Sequence, residues 1–385
     1  MLDTARGEVI LDPGAWSSFT ASFDQDPDIF ARIPALVDPQ PLRASVLRAT
    51  AEFRRHDHTS NPRLRVFSDN RLDYPAIERF CYDTAPTTDA FEFLETQVSA
   101  PACIGMNELE SWDAALREVA AAELIPGLAP YLRRTESRAD LYAFLTTGGW
   151  TPFGLHNDSE PSLVINLGPS DRELWVWDPA ALADLDRGRR TTLDFQHFLP
   201  AATHHLVLAP GDFAAIPANW FHVFRSHGRS TLFGIAPYPR DVPMEICDYL
   251  RHRGIDPLHW FATGDSAEAA GRRIAAVRRH VDLTVESAVF STAPVRATPL
   301  AADTALPQAL RALPSLIVVE RPNVLLANGS TLLVPAGVGA DNLASWLRDT
   351  PVFSPADFAA RFPELAEAAL LRLAHSGALA PATDR

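Results

Sequence analysis

Two stretches of sequence decide the fold: Gly211-Asp212-Phe213-Ala214-Ala215-Ile216-Pro217-Ala218-Asn219-Trp220-Phe221-His222 and the earlier His156-Asn157-Asp158. Residues i and i+2 of a β-strand point to the same face, so His156 and Asp158 can bind one ion. His222 follows Asp158 by 64 residues and lies in another strand candidate of the same closed sheet, where it can supply a third ligand. Two imidazoles and one carboxylate form the facial triad that holds non-haem Fe(II) with open coordination positions. The sequence therefore predicts a metal site at His156, Asp158 and His222.

The composition is that of a globular cytoplasmic protein. The chain has 385 residues, enough for two or three domains, of which 47% are hydrophobic and 21% charged. No signal peptide is visible at the N-terminus, and no apolar stretch is long enough to cross a bilayer. The three cysteines Cys81, Cys103 and Cys247 are scattered and odd in number. This pattern favours reduced thiols and a cytoplasmic location without membrane association.

The charge of the chain disfavours a nucleic-acid partner and restricts the choice of cations. The net charge is −14, which opposes broad binding to a phosphate backbone. The sequence contains no lysine, so all 34 basic residues are arginines. Any fixed cation in the site must therefore be arginine or a charged histidine. The arginine-only, alanine-rich composition also suggests a GC-rich bacterial genome.

Hydropathy patterns divide the chain into four predicted parts. Residues 1–135 form a mixed helix and strand region expected to pack on a barrel, and residues 136–243 form the barrel itself. Short apolar runs broken by Gly, Pro, Asn and Asp are typical of an all-β sandwich or barrel. The strand candidates are Leu141–Leu145, Leu163–Leu167, Leu174–Trp177, His205–Leu208, Phe213–Ile216, Phe221–Phe224 and Thr231–Ile235.

The remaining two predicted parts are a helical segment, 244–300, and a winged-helix-like domain, 301–385. In the terminal part, strands Leu316–Val319 and Thr331–Val334 are expected to flank a hairpin turn at Asn328-Gly329. Helices are expected to begin at N-caps Asp341 and Ser354.

Several motifs resemble the cupin-fold Fe(II)- and 2-oxoglutarate-dependent oxygenases of the JmjC type. The matching stretches are Ala139-Asp140-Leu141-Tyr142, Gly148-Gly149-Trp150-Thr151-Pro152, His156-Asn157-Asp158, Arg172-Glu173-Leu174-Trp175-Val176-Trp177-Asp178-Pro179, Pro210-Gly211-Asp212, and Ile216-Pro217 through His222. The order of barrel, helical segment and winged helix is similar to the ribosomal-protein hydroxylases of this family. That resemblance implies a mainly β fold with α-helices, built on a double-stranded β-helix, and a helical segment that makes a homodimer.

The resemblance also implies the chemistry of the site. It implies that Fe(II), 2-oxoglutarate and O₂ are used, that 2-oxoglutarate is decarboxylated to succinate, and that a C–H bond is hydroxylated. Asp158 favours hydroxylation, because the related halogenases carry a small residue at that position. Family members with an accessory winged helix act on polypeptides, which makes a peptide or protein side chain the leading substrate.

The family binds the distal carboxylate of 2-oxoglutarate with a basic residue, and Arg172 occupies the corresponding place. A guanidinium can bind a carboxylate with two hydrogen bonds, so arginine suits this role. Arg229 or Arg225 is the fallback, since other branches of the superfamily use an arginine after the distal histidine. Thr151, Tyr142 and Asn166 are expected to complete the pocket through hydroxyl or amide hydrogen bonds.

Three alternatives stay open at this point. His56-Asp57-His58 is a rival metal pair, although its polar neighbours indicate a solvated loop. The substrate could instead be a small molecule, such as an amino acid or a natural-product intermediate. The chain could also be a non-catalytic cupin whose tail binds nucleic acid, against which the negative charge and the complete triad both count.

Overall fold

The computed structural model describes residues 11–54, 64–83, 89–182, 191–241, 306–328, 330–365 and 367–382, with scattered positions between 242 and 305. The chain divides into two compact units. The barrel unit contains the described residues of 11–112 and 122–239, and the C-terminal unit contains those of 113–121 and 240–382. This division does not test the predicted domain boundaries at 135, 243 and 300, which stay predictions. Within the described residues, no helix is long and apolar enough to span a membrane.

One sheet of the barrel unit contains eight antiparallel strands. In spatial order these are β1 (Ala31–Ile33), β12 (Phe213–Ile216), β8 (Ser162–Pro169), β14 (Ser230–Pro239), β5 (Ser137–Thr146), β4 (Ala102–Met106), β2 (Leu64–Ser68) and β3 (Arg71–Leu72). Strands β2 and β4 come from the N-terminal third of the chain. They extend the sheet beyond β5, where Cys103 of β4 pairs with Thr146 of β5.

The second sheet of the barrel unit carries both histidines of the predicted metal site. Its strands in order are β10 (Thr191–Thr192), β7 (Leu155–His156), β13 (Phe221–Ser226), β9 (Arg172–Trp177) and β11 (His204–Leu208), and β6 (Gly149–Trp150) also pairs with β13. The register sets His156 of β7 directly opposite His222 of β13.

The two sheets pack face to face around an apolar layer. Val164 and Leu232 enter it from the larger sheet, and Val176 and Phe224 enter it from the smaller one. Because successive strand residues point to opposite faces, this alternation also fixes which polar side chains point inward. All seven strand predictions are confirmed. Strands β6 and β10 were not predicted, since two residues are too few to show a period. The strand expected to carry both His156 and Asp158 is β7, which ends at His156.

Four of the five α-helices described in the barrel unit have an aspartate N-cap, and the fifth has Leu124. The five helices are α1 (Pro13–Gln25), α2 (Pro39–Phe53), α3 (Tyr74–Glu78), α4 (Ala90–Gln97) and, after α5 of the C-terminal unit (Ala114–Val119), α6 (Ile125–Arg134). The side chains of the aspartate N-caps accept hydrogen bonds from first-turn N–H groups, which otherwise lack partners. These caps are Asp12, Asp38, Asp73 and Asp89.

Between residues 306 and 382 the described part of the C-terminal unit contains two small sheets and three further helices. One sheet joins β15 (Leu310–Ala312), β19 (Val352–Phe353) and β20 (Leu379–Pro381), and the other joins β16 (Ile317–Arg321), β17 (Val324–Ala327) and β18 (Ser330–Leu333). The helices are α7 (Ala340–Asp349), α8 (Pro355–Arg361) and α9 (Glu367–His375). Their apolar faces bury Leu343, Phe358 and Leu370 in one core with Leu310 and Leu325.

Two predictions for this unit need correction. The turn after Ala327 is where it was predicted, but the strand before that turn is β17 and not the predicted Leu316–Val319. A further turn at Pro322-Asn323 separates β17 from β16, which contains most of the predicted strand. Asp341 lies in the first turn of α7, whose N-cap is Gly339. Ser354 is confirmed as the N-cap of α8, where it forms a reciprocal capping box with Asp357.

Two predicted features fall on parts of the chain that are not described. The segment 244–300 is described only at scattered positions, and His56-Asp57-His58 lies entirely outside the described residues. The helical segment and the rival metal pair therefore stay predictions.

Candidate metal centre and cavity

The structure brings the three predicted metal ligands together. His156 ends β7, Asp158 follows two residues later, and His222 faces His156 from β13. One ligand atom from each residue lies within 4.8 Å of the others. His222 Nε2 is 3.6 Å from Asp158 Oδ2, and the two imidazole centroids are 4.3 Å apart. Among the described residues, no other group of histidines, cysteines and carboxylates is gathered in this way.

Backbone carbonyls orient both imidazoles. His156 Nδ1 lies 2.9 Å from the carbonyl oxygen of Gly154, and His222 Nδ1 lies 3.2 Å from that of Trp220. A ring nitrogen that faces a carbonyl must donate a proton, so in each neutral ring Nε2 keeps its lone pair. This arrangement is typical of metal-binding histidines, whose second nitrogen is held by a protein acceptor.

A glycine makes the turn before His156. Gly154 has φ +68°, and a Cβ at this position would lie 2.3 Å from the carbonyl oxygen of Thr192. Only glycine adopts this conformation without cost and leaves room for the strand β10. The turn therefore places the Gly154 carbonyl where it can hold His156.

The charges of the site suit a divalent cation. Burial and the neighbouring His156 lower the pKa of His222 to about 4, so His222 is neutral at neutral pH. Ser162 Oγ donates to Asp158 Oδ2 at 3.2 Å, which fixes the carboxylate. Two unprotonated imidazole nitrogens and one carboxylate fit Fe(II) and related first-row ions.

A cavity of about 390 Å³ opens in front of the triad. Its floor is the inner face of the larger sheet, where Tyr142, Phe144 and Thr146 alternate along β5 and Leu232 projects from β14. The triad and Arg172 line the same cavity. The cavity thus joins a candidate metal site to a buried cation.

Arg172 is only 4% exposed and is anchored by the larger sheet. Its Nε donates to Ser230 Oγ at 2.8 Å, and its Nη2 donates to the carbonyl oxygens of Ser230 and Phe144 at 3.1 and 3.2 Å. Nη1 makes no hydrogen bond to any described residue. Burial lowers the pKa of Arg172 to about 10, so it keeps its charge at neutral pH. These contacts orient a guanidinium with one nitrogen left for a ligand of the cavity.

Tyr142 and Thr151 line the cavity as predicted, but they differ in what they can offer a ligand. Burial raises the pKa of the Tyr142 phenol, which therefore stays a donor. The Thr151 hydroxyl donates to the carbonyl oxygen of Phe224 at 3.1 Å and accepts from its N–H at 2.9 Å. Thr151 thus holds its loop against β13 and has no proton left for a ligand.

Asn166 does not line the cavity, which corrects its predicted place. It is fully buried, and its Nδ2 donates to the carbonyl oxygens of Ser170 and Leu208. Its Oδ1 accepts from Gly168 N and from Ser230 Oγ at 3.0 Å. Because Ser230 Oγ also accepts a hydrogen bond from Arg172 Nε, Asn166 helps to fix the position of the Arg172 guanidinium.

Arg229 and Arg225 are also outside the cavity. Arg229 is exposed and pairs through Nε and Nη2 with the carboxylate of Glu95. Arg225 is exposed on the outer face of β13 and lies over the Trp150 ring at 5.3 Å. The fallback cations of the sequence analysis therefore point away from the triad.

Arg65, Asn107 and Tyr238 line the cavity but were not predicted. Arg65 lies on β2 and Asn107 follows β4, so both come from the N-terminal strands that extend the larger sheet. The only signal in the sequence that pointed to Arg65 was the absence of lysine, which makes every arginine a candidate cation. The sequence could not select Arg65, because pairing between β2 and β4 is non-local.

Comparisons with known proteins define the class of fold. No protein-family profile and no curated protein matches the sequence. The solved structure of the ribosomal oxygenase YcfD from Escherichia coli matches with a TM-score of 0.51 at 14% identity, covering 98% of this chain and 99% of that one. The same Escherichia coli protein in complex with cobalt and succinic acid matches with a TM-score of 0.50 at 14% identity, covering 97% and 99%. This likeness confirms the predicted resemblance at the level of the fold.

Proposed function

We propose that the chain is an Fe(II)- and 2-oxoglutarate-dependent oxygenase that hydroxylates a C–H bond. The observation that carries this proposal is one cavity that contains both the triad of His156, Asp158 and His222 and the buried guanidinium of Arg172. When bound, iron, 2-oxoglutarate and O₂ would supply the oxidation, with succinate and CO₂ as products. The fold likeness to a protein described as an oxygenase supports the proposal.

The triad and Arg172 would have separate roles in this reaction. His156, Asp158 and His222 would bind the metal and leave the remaining coordination positions open toward the cavity. Arg172 would bind the distal carboxylate of 2-oxoglutarate through Nη1, since its other nitrogens are held by Ser230 and Phe144. The apolar walls would limit access of water to the metal.

A peptide or protein side chain is the proposed substrate, and a small molecule is the alternative. The likeness to a ribosomal oxygenase over nearly the whole chain favours a polypeptide. This part of the proposal rests on analogy of fold. The winged-helix-like tail and the homodimer belong to the same analogy, whereas the proposed cytoplasmic location rests on the scattered cysteines and the composition.

The proposed function is tested by binding and by turnover. Anaerobic calorimetry should show that wild-type protein binds 2-oxoglutarate only in the presence of Fe(II), and aerobic assays should show succinate formation. His156→Ala should bind Fe(II) weakly and lose succinate formation, because a facial triad needs all three ligands. His197→Ala changes an exposed histidine outside the cavity and serves as the control. Metal-independent binding of 2-oxoglutarate, or normal turnover by His156→Ala, would overturn the proposal.

A further inference from the structure

Arg65 is a cavity cation without an anionic partner. Its Nη2 donates to Asn107 Oδ1 at 2.5 Å, and its guanidinium lies 5.7 Å from the Phe153 ring centroid. Its Nε is buried and has no hydrogen-bond partner among the described residues. No described carboxylate forms an ion pair with it. A partly buried arginine that lines the cavity and forms no ion pair with a described carboxylate can bind an anion there.

One aromatic ring, Phe153, lies near both this guanidinium and a metal ligand. Its centroid is 5.7 Å from the Arg65 guanidinium and 5.4 Å from the centroid of the His156 ring. Arg172 is anchored separately, on β9 and against Ser230. The cavity thus contains two cations on different strands, of which the proposed function uses only Arg172.

Two neutral groups beside Arg65 complete an environment suited to an anion. Asp140 Oδ2 accepts from Asn107 Nδ2 at 3.1 Å, which turns Asn107 Oδ1 toward Arg65. Tyr238 lines the cavity, and burial raises the pKa of its phenol, which stays protonated and able to donate. Glu160 also lines the cavity, and its Oε2 accepts from Ser159 Oγ at 2.7 Å. Neither Glu160 nor Asp140 forms an ion pair with Arg65, so no described carboxylate occupies the guanidinium.

We propose, resting on the function proposed above, that Arg65 binds a carboxylate of the substrate and so selects substrates with a carboxylate near the hydroxylated carbon. The carboxylate can come from a free acid of amino-acid size or from an Asp or Glu side chain of a peptide. Arg65 is a specificity residue in this scheme, and Arg172 serves the co-substrate alone.

The test compares matched acids and amides. Full-length protein is loaded with Zn(II) and 2-oxoglutarate, and binding of probes is followed by ligand-observed NMR. The first arm uses N-acetyl derivatives of the standard amino acids with a free carboxylate, each beside its carboxamide. The second arm uses capped tripeptides with a central Asp or Glu, each beside its Asn or Gln counterpart. The arm that binds identifies the source of the carboxylate.

We expect at least one acid to bind about tenfold or more tightly than its amide, the effect of one charge-assisted hydrogen bond. Arg65→Gln should remove this preference, and Arg65→Lys should restore part of it. Arg225→Gln, which changes an exposed arginine, should leave it unchanged. Equal binding of acid and amide in both arms, including no binding of either, overturns the proposal. A preference that survives in Arg65→Gln also overturns it.

A separate measurement distinguishes this proposal from the proposed function. The affinity of the Zn(II)-loaded protein for 2-oxoglutarate should be the same in Arg65→Gln and in wild type. Weaker 2-oxoglutarate binding in Arg65→Gln would assign Arg65 to the co-substrate and overturn the present inference alone. Failure of wild-type protein to bind 2-oxoglutarate would instead overturn the proposed function.

Discussion

Replacement of Arg172 by glutamine tests the proposed co-substrate site most directly. Nε and Nη2 of Arg172 are already bonded to Ser230 and Phe144, so only Nη1 is available to 2-oxoglutarate. One charge-assisted hydrogen bond contributes about 1.5–3 kcal/mol, and each 1.4 kcal/mol changes a dissociation constant about tenfold. Arg172→Gln should therefore weaken binding of 2-oxoglutarate by a factor of about 10 to 150.

Anaerobic calorimetry with Fe(II)-loaded protein measures this change. Arg229→Gln is the matched control, because Arg229 is exposed and paired with Glu95. Arg172→Gln also leaves Ser230 Oγ without its donor, so the variant should unfold at a lower temperature. Calorimetry is therefore done well below the transition of the variant. Wild-type affinity in Arg172→Gln would refute the reasoning, as would a loss of affinity confined to Arg229→Gln.

Two further predictions concern the cavity floor and a buried acid. A Cβ at Gly234 would lie 2.1 Å from Tyr142 Cζ, so Gly234→Ala must displace that ring and should lower the unfolding free energy by about 1–3 kcal/mol. Chemical denaturation checks this, and Gly234→Ala should cost less stability in a Tyr142→Ala protein than in the wild type, because the ring that it displaces is gone. Wild-type stability in Gly234→Ala would contradict the close contact. Burial and the negative charge of Glu108 raise the pKa of Asp140 to about 6, so the native state binds more protons than the unfolded chain between about pH 4 and 6. The stability contributed by Asp140 should fall as the pH rises through this range, by up to about 3 kcal/mol, and Asp140→Asn should remove that dependence in denaturation curves. Identical pH dependence in both proteins would count against a raised pKa.

The metal ligands could be predicted because their pattern is local or nearly so. His156 and Asp158 are only two residues apart, although β7 ends at His156, and the apolar run Phe221–Phe224 predicts the strand that carries His222. The structure then sets β7 beside β13, which brings the two imidazoles together.

The other cavity residues depend on information that the sequence does not display. Asn166 was predicted to face a ligand because it is a polar residue in an apolar strand. The structure shows that its amide is satisfied by backbone groups and Ser230. Arg65 was missed for the opposite reason, since its strand pairs with β4 about forty residues later. Hydrogen-bond partners and long-range register decide both cases, and neither follows from periodicity.

Because β2 and β4 come from the N-terminal third of the chain, the residues proposed to select the substrate are separate in sequence from those proposed to bind metal and co-substrate. The triad and Arg172 belong to the barrel strands, whereas Arg65 and Asn107 come from the strands that extend the sheet beyond β5. Mutations in β2, β4 and Asn107 can therefore alter what enters the cavity without touching the groups proposed to bind metal and co-substrate. Transplanting β2 and β4 between proteins of this fold becomes a rational way to exchange selectivity. A fragment trimmed to the barrel strands would lose that selectivity and would expose the unpaired edge of β5 to other strands.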